Sequence, residues 1–213
     1  MTYLEIVNKV LVRLRENQVG SLTENNYSTL IADLVNVIKR EIENSWEWSA
    51  LRTTLSATTT NGLFNYVLNG FGTTSRVLYV FNDTDDITMR NMPSDWFDRQ
   101  FLMSTIQRGS PAFYSFNGVD ANGDMQVDVF PIPDAAYDLR FNIVMPQPDL
   151  VNASDTLLIN PNLLIEGVVS RALMERGEDG GSADQEIRYR NMLADFISIE
   201  AGHRPTETVW KPS

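Results

Sequence analysis

Cysteine is absent from the chain, which excludes disulfides, thiolate nucleophiles and sulfur-ligated zinc or iron sites, so stability has to come from packing. Lysine is nearly absent: Lys9, Lys39 and Lys211 are the only three, leaving no flexible ammonium between Lys39 and Lys211 to clamp a phosphate. With 28 acidic residues against 17 basic ones the formal charge is -11, and the basic residues do not cluster, so tight nucleic-acid binding is disfavoured. Long apolar runs are also missing. Nothing approaches the roughly 20 residues that cross a bilayer, and Met1-Thr2-Tyr3-Leu4-Glu5 lacks the basic-then-apolar layout of a signal peptide. A cytosol-like compartment and no membrane partner are the expectations.

What is present is enough to fold, because 213 residues at 43% hydrophobic composition can close a sizeable core. Leu4, Val7, Leu11 and Leu14 recur at helical spacing behind a Thr2/Glu5 capping-box pattern, giving a first helix that ends near Gly20. A longer stripe follows Thr23 through Tyr27, Leu30, Ile31, Leu34, Ile38, Ile42 and Trp46. After Trp48 the period changes to two: Leu51, Thr53, Leu55 and Ala57 share one face of a threonine-rich strand, and Asn61-Gly62 supplies a hairpin turn into Phe64, Tyr66 and Leu68. Another strand is read from Arg76 to Asn82. Ser94 is a natural N-cap for a helix through Trp96, Phe97 and Phe101 to about Gln107. Alternation resumes at Met125, Val127 and Val129 and again at Tyr137, Leu139, Phe141, Ile143 and Met145. From Pro161 helical spacing returns with Leu164, Val168 and Leu173 to Gly177. A Gly-Gly break then precedes a last helix carrying Tyr189, Met192, Leu193, Phe196 and Ile199.

Helices first and last can bury their stripes together only if the two ends of the chain meet. The expected class is therefore α+β: a four-helix platform from residues 1–49 and 160–201, an inserted antiparallel β lobe, barrel or sandwich, over 50–159 with one inserted helix, and an extended C-terminal arm over 202–213.

Chemistry is sparse. The single histidine, His203, stands beside Arg204 and Pro205 with no second ligand or nucleophile at a useful spacing. Asp83, Asp85 and Asp86 could hold a hard cation but read better as a solvated hairpin turn. Asp120-Ala121-Asn122-Gly123-Asp124 has the opening of a calcium loop, yet glycine falls at its fourth position and Pro131 stands where the bidentate glutamate belongs. Gly70-Phe71-Gly72 is followed by no lysine, so it is not a phosphate loop. No catalytic residue, cofactor or metal is expected. Trp46 and Trp48 read as core. Trp210, in Thr208-Val209-Trp210-Lys211-Pro212, has no evident core to enter; it belongs either to a disordered end or, the favoured reading, to an arm whose Val209 and Trp210 anchor in a partner. His203, Arg204, Val209, Trp210 and Lys211 are accordingly the candidate partner-binding residues.

Several segments carry a resemblance. Thr2-Tyr3-Leu4-Glu5-Ile6-Val7-Asn8 with Arg13-Leu14-Arg15-Glu16 resembles the first helix of tailed-bacteriophage head-to-tail adaptor (connector) proteins. Ile38-Lys39-Arg40-Glu41-Ile42-Glu43 followed by Trp46-Glu47-Trp48-Ser49-Ala50-Leu51-Arg52-Thr53-Thr54 resembles the helix-to-strand junction of that family, and Trp96-Phe97-Asp98-Arg99-Gln100 and Val129-Phe130-Pro131-Ile132-Pro133 are similar to later elements. The likeness spans roughly residues 1–200 and extends in layout to tail tubular protein A of short-tailed phages. It implies a homo-oligomeric ring, typically of twelve copies, below the portal and above a tail nozzle or tail-completion protein. The protein would be made in the bacterial host cytoplasm and carried at the head-tail junction of the virion, with double-stranded DNA passing through the channel unread. A carbohydrate-binding or tail-fibre-attachment module is the alternative, and an enzyme is the reading composition disfavours most.

Overall fold

The expected capping box forms: Glu5 N–H donates to Thr2 Oγ1 at 3.3 Å while Thr2 N–H donates to Glu5 Oε2 at 2.9 Å, starting α1 (Tyr3–Arg13). The structure, a computed structural model, describes residues 1–177 and 179–202. Helix α1 stops well short of Gly20. Arg15 adopts φ 60°, Arg15 N–H reaches Val12 O and Glu16 N–H reaches Leu11 O, a Schellman termination made without glycine. The chain beyond it is held instead by Asn8, whose side chain both donates to Val19 O and accepts from Val19 N–H.

Helix α2 (Asn26–Ser45) begins at a second capping box, Asn25 with Ser28, and buries Ile31, Leu34, Val35, Ile38 and Ile42. Leu30, expected on that stripe, is exposed. Helix α4 (Pro161–Glu175) has proline in its first turn and an Asn160 cap, and it buries residues around most of its circumference because α1, α2 and α5 (Asp179–Gly202) all pack on it. The break before α5 falls at Gly177, φ 70°; Gly180 and Gly181 lie inside the helix, not ahead of it.

Residue contacts divide the chain into a first unit, 1–50 with 147–213, and a second, 51–146. Residues 147–159, assigned from sequence to the β lobe, group with the first unit. Their loop is fastened to the start of α1 by Tyr3 N–H on Asp155 O and Leu157 N–H on Met1 O.

The second unit is a seven-stranded, nearly closed barrel-like sheet: β1 (Arg52–Thr58), β2 (Asn65–Gly72), β3 (Arg76–Asn82), β4 (Ile87–Asn91), β5 (Phe113–Val119), β6 (Asp124–Phe130) and β7 (Asp138–Val144), ordered β1-β7-β3-β4-β5-β6-β2. Side chains from all seven strands meet in one cluster around Val80, Val127, Leu139, Phe141 and Ile143. Two expectations are corrected here. The Asn61-Gly62 turn exists, with Gly62 at φ 81°, but β1 and β2 do not form a hairpin: β1 pairs with β7 and β2 with β6. The lobe is also not purely antiparallel, since β4 and β5 run parallel. Parallel neighbours need a crossover connection, and α3 (Ser94–Phe101) lies on it.

Helix α3 is shorter than expected, and its N-cap is Pro93 rather than Ser94. It ends at Phe101 because residues 107–109 are drawn into pairing with Ile132, through Ile132 N–H on Gln107 O and Gly109 N–H on Ile132 O. Its aromatics cover the outer face of β5 and β6: the Trp96 ring lies 5.0 Å from Phe113 and 5.4 Å from Phe130, and Phe101 lies 6.0 Å from Phe130.

Candidate partner-binding surface

His203, Arg204, Val209, Trp210 and Lys211, the partner-binding residues expected from sequence, lie outside the described residues. The structure does describe the ground immediately before them. Where α5 runs out, a cleft of about 190 Å³ opens in the first unit, walled by Phe196 and Ile199 of α5 and by Leu158, over a floor of Ile42, Trp48 and Leu163. The floor is rigid. Trp48 is buried, as expected, and its Nε1–H donates to Ile42 O at 2.7 Å, which satisfies the indole without spending it on a ligand. Ser49 donates through both N–H and Oγ–H to Glu200, each at 3.0 Å, so the last turn of α5 is pinned to the chain that leaves α2. The rim is apolar yet wet, with Leu158 and Ile199 each 54% exposed. Phe196 and Ile199 were legible as part of an apolar stripe. Leu158 was not, because residues 147–159 carry no period.

A second, broader groove of about 690 Å³ follows the outer side of α1, lined by Leu4, Asn8, Lys9, Gln18 and Ala153. The turn that carries Ala153 is closed by the Asp155 carboxylate, which accepts the N–H groups of Asn152 at 2.7 Å and Val151 at 2.8 Å and is thereby held below the usual carboxylate range.

The helices under both surfaces are tied by Glu166 of α4. It forms a two-toothed ion pair with Arg13 of α1, 2.9 Å for the Nη2–Oε2 contact, and accepts a hydrogen bond from Gln185 of α5. Burial pushes its carboxyl up, but the hydrogen bonds from Arg13 and Gln185 and the Arg13 charge outweigh that and leave it below the usual 4.5. A carboxyl depressed on folding stabilises above its unfolded value and loses that contribution as pH falls through the lowered one. Glu166→Gln is therefore expected to cost about 1–3 kcal/mol at neutral pH. It should also flatten the loss of stability below pH 4.5, read from denaturant midpoints across an acid series.

Several of the described residues weighed for chemistry serve turns or ion pairs instead. Asp83 pairs with Arg140 at 2.8 Å, and Asp86 makes the turn at φ 55°. Asp120 accepts Asn122 N–H at 2.8 Å and Asp124 N–H at 2.9 Å, closing the β5–β6 turn with Gly123 at φ 87°. Gly70, φ 80°, donates to Asp124 Oδ1 and marks the bulge in β2. Among the described residues no group of three or more His, Cys, Asp or Glu side chains is placed to hold a metal, and no helix is long and apolar enough to cross a membrane.

In the second unit the exit of α3 is conspicuously apolar. Leu102, Met103 and nearby Phe64 are exposed, and Phe64 packs its ring 4.6 Å from Phe101. Exposed apolar surface of this kind, like the cleft in the first unit, is what a protein partner covers.

Comparison with known proteins bears on what those partners are. The family model described as SU10 adaptor protein matches residues 1–209. No curated protein matches the chain.

Proposed function

The chain belongs to the SU10 adaptor protein family, which makes it a phage structural adaptor, and from that premise we propose that it is the subunit of a head-to-tail connector ring and has no enzymatic activity. In this reading twelve copies assemble below the portal, joining capsid to tail and lining part of the channel through which double-stranded DNA leaves. A tail nozzle or tail-completion protein follows, and the layout is that of tail tubular protein A. The subunit is made in the host cytoplasm and ends at the head-tail junction of the virion.

The family match over residues 1–209 carries the proposal. Three physical features support it. The net charge of -11 suits a lumen past which a polyanion slides without sticking. The exposed apolar rims in each unit suit burial against protein neighbours. The candidate residues His203, Arg204, Val209, Trp210 and Lys211 combine an aromatic anchor with two basic groups and a histidine, a composition fitted to docking on the portal or on a neighbouring subunit.

The experiment is electron microscopy and mass determination of the protein mixed with portal from the same source, beside a variant truncated before Gly202. A ring added to the portal by the full chain and not by the truncated one is the expected result. Failure of both to associate, with glycan binding by the β lobe, would replace the adaptor reading with the carbohydrate-binding one.

A further inference from the structure

The cleft in the first unit adjoins the point where the described chain stops. Phe196 and Ile199 lie in the last two turns of α5, which ends at Gly202. The site is formed before anything binds, because Ile42 and Leu163 are fully packed, Trp48 is fixed by its bond to Ile42 O, and Glu200 is fixed by Ser49. At about 190 Å³ it falls below the roughly 300–1,000 Å³ of small-molecule sites. It is instead of a size for one or two apolar side chains, which is how protein anchors bind.

We infer that this cleft is a docking site for the segment that follows α5 in the same chain, with Val209 and Trp210 as the occupants in the free subunit. Residues 203–213 offer no other large apolar side chain. Trp210 lies eight positions beyond Gly202, a span of up to roughly 26 Å when extended, while Ile199 is one helical turn before Gly202. The anchor is therefore held near the cleft at an effective concentration of roughly millimolar order, so a contact of weak intrinsic affinity suffices. Charge acts in the same sense: Arg204 and Lys211 outweigh Glu207 within the segment, whereas the chain as a whole is strongly acidic.

The consequence is a docking surface covered by its own chain until a partner competes for the segment or for the cleft. Trp210 is thereby shielded from water in the free subunit and becomes available on assembly. The inference goes beyond the adaptor reading and does not depend on it, since it concerns the free chain alone.

Because the chain has no cysteine, the full-length double variant Leu158→Cys, Lys211→Cys can form only the engineered disulfide. Under mild oxidation at low protein concentration the expected product is an internally linked monomer. It should form roughly ten-fold faster, or more, than the disulfide between Lys211→Cys and Met174→Cys near the opposite end of α4. Adding Trp210→Ala should slow the first reaction and leave the second unchanged. In a companion measurement, chymotryptic cleavage after Trp210 should be slow in the unmodified chain and roughly ten-fold faster in Ile199→Glu, a rim substitution whose thermal melt stays close to the parent's. Equal disulfide rates in the two pairs, linkage between chains only, or cleavage as fast in the parent as in Ile199→Glu would each overturn the inference. Failure to bind portal would count against the adaptor reading and leave these outcomes untouched.

Discussion

Replacing Glu43 by leucine is expected to cost about 3–5 kcal/mol of stability at neutral pH, measured by denaturant unfolding. Lys39 and Glu43 sit one turn apart on the buried side of α2, both with 0% side-chain exposure, and their ion pair is 3.1 Å long. Lys39 also donates to Gln147 O, and the Gln147 backbone supports Glu43 in return, so the pair clamps the chain entering residues 147–159 onto α2. Removing Glu43 leaves a buried ammonium with one carbonyl and no counter-charge, and that desolvation is what makes the loss large. The double variant Lys39→Met, Glu43→Leu removes both charges together and should recover most of the stability, or exceed the parent. A double variant no better than Glu43→Leu alone would mean the cost arises from packing rather than from charge.

The single variant Lys39→Met behaves differently because a carboxylic acid can shed its charge. Burial already pushes Glu43 above its usual 4.5, against the pull of Lys39. Without Lys39 the rise grows. A carboxyl raised on folding contributes stability that is complete below its unfolded value and is lost as pH climbs through the folded one. Lys39→Met should thus be nearly as stable as the parent near pH 4.5 and fall progressively behind it toward neutrality. A pH-independent deficit would refute this account.

Gly167→Ala is expected to destabilise by about 1–3 kcal/mol, and Gly167→Leu by more, to the point where folded protein does not accumulate. On an ordinary helix the first change would help by about 0.5–1 kcal/mol, because glycine weakens helix interiors. Here a Cβ would stand 2.7 Å from Ile38 Cγ2 and 2.8 Å from Tyr189 Cε2, side chains from α2 and α5 that close over α4. Both are buried, so neither can swing into solvent. The Tyr189 hydroxyl, pushed up to about 12 mainly by burial and then by Glu41, shows how closed that packing is. A double-mutant cycle of Gly167→Ala with Ile38→Ala should give a favourable coupling energy, since removing Cγ2 opens the space the new methyl needs. Additive effects would place the clash elsewhere.

These two sites also mark the limits of sequence. Lys39 sits in the middle of a helix of mixed charge, where lysine is normally a solvated residue, and no periodicity distinguishes it from Arg40, whose Nη2 pairs with Asp149 at 3.0 Å on the exposed side. Its burial follows from residues 147–159 lying over α2, a contact between positions more than 100 apart in the chain. Gly167 lies inside an apolar run, where a lone glycine reads as a minor weakness until the two neighbouring helices are seen meeting over it.

Local signals determined a good deal by themselves. The Thr2/Glu5 cap, the long stripe of α2, the alternation of β7 and the turns at Gly62 and Gly123 arise from interactions within a few residues, so the order of neighbouring side chains suffices to specify them. The α+β class, with helices early and late and strands between, followed from the same short-range periods. Tertiary structure alone decided the rest. The Asn61-Gly62 turn could not announce that β1 would pair with β7, because strand partners are chosen by a shared core rather than by the turn between them. β6 alternates outwardly at Asp128 and Phe130, yet both are buried, since Asn65 and Asn117 bond the first and the α3 aromatics cover the second. The cleft beside Gly202 belongs to this class as well. Its walls come from residues near 42, 158 and 196, and no stretch of sequence holds more than one of them, so it came into existence only when helices and loop were folded against one another.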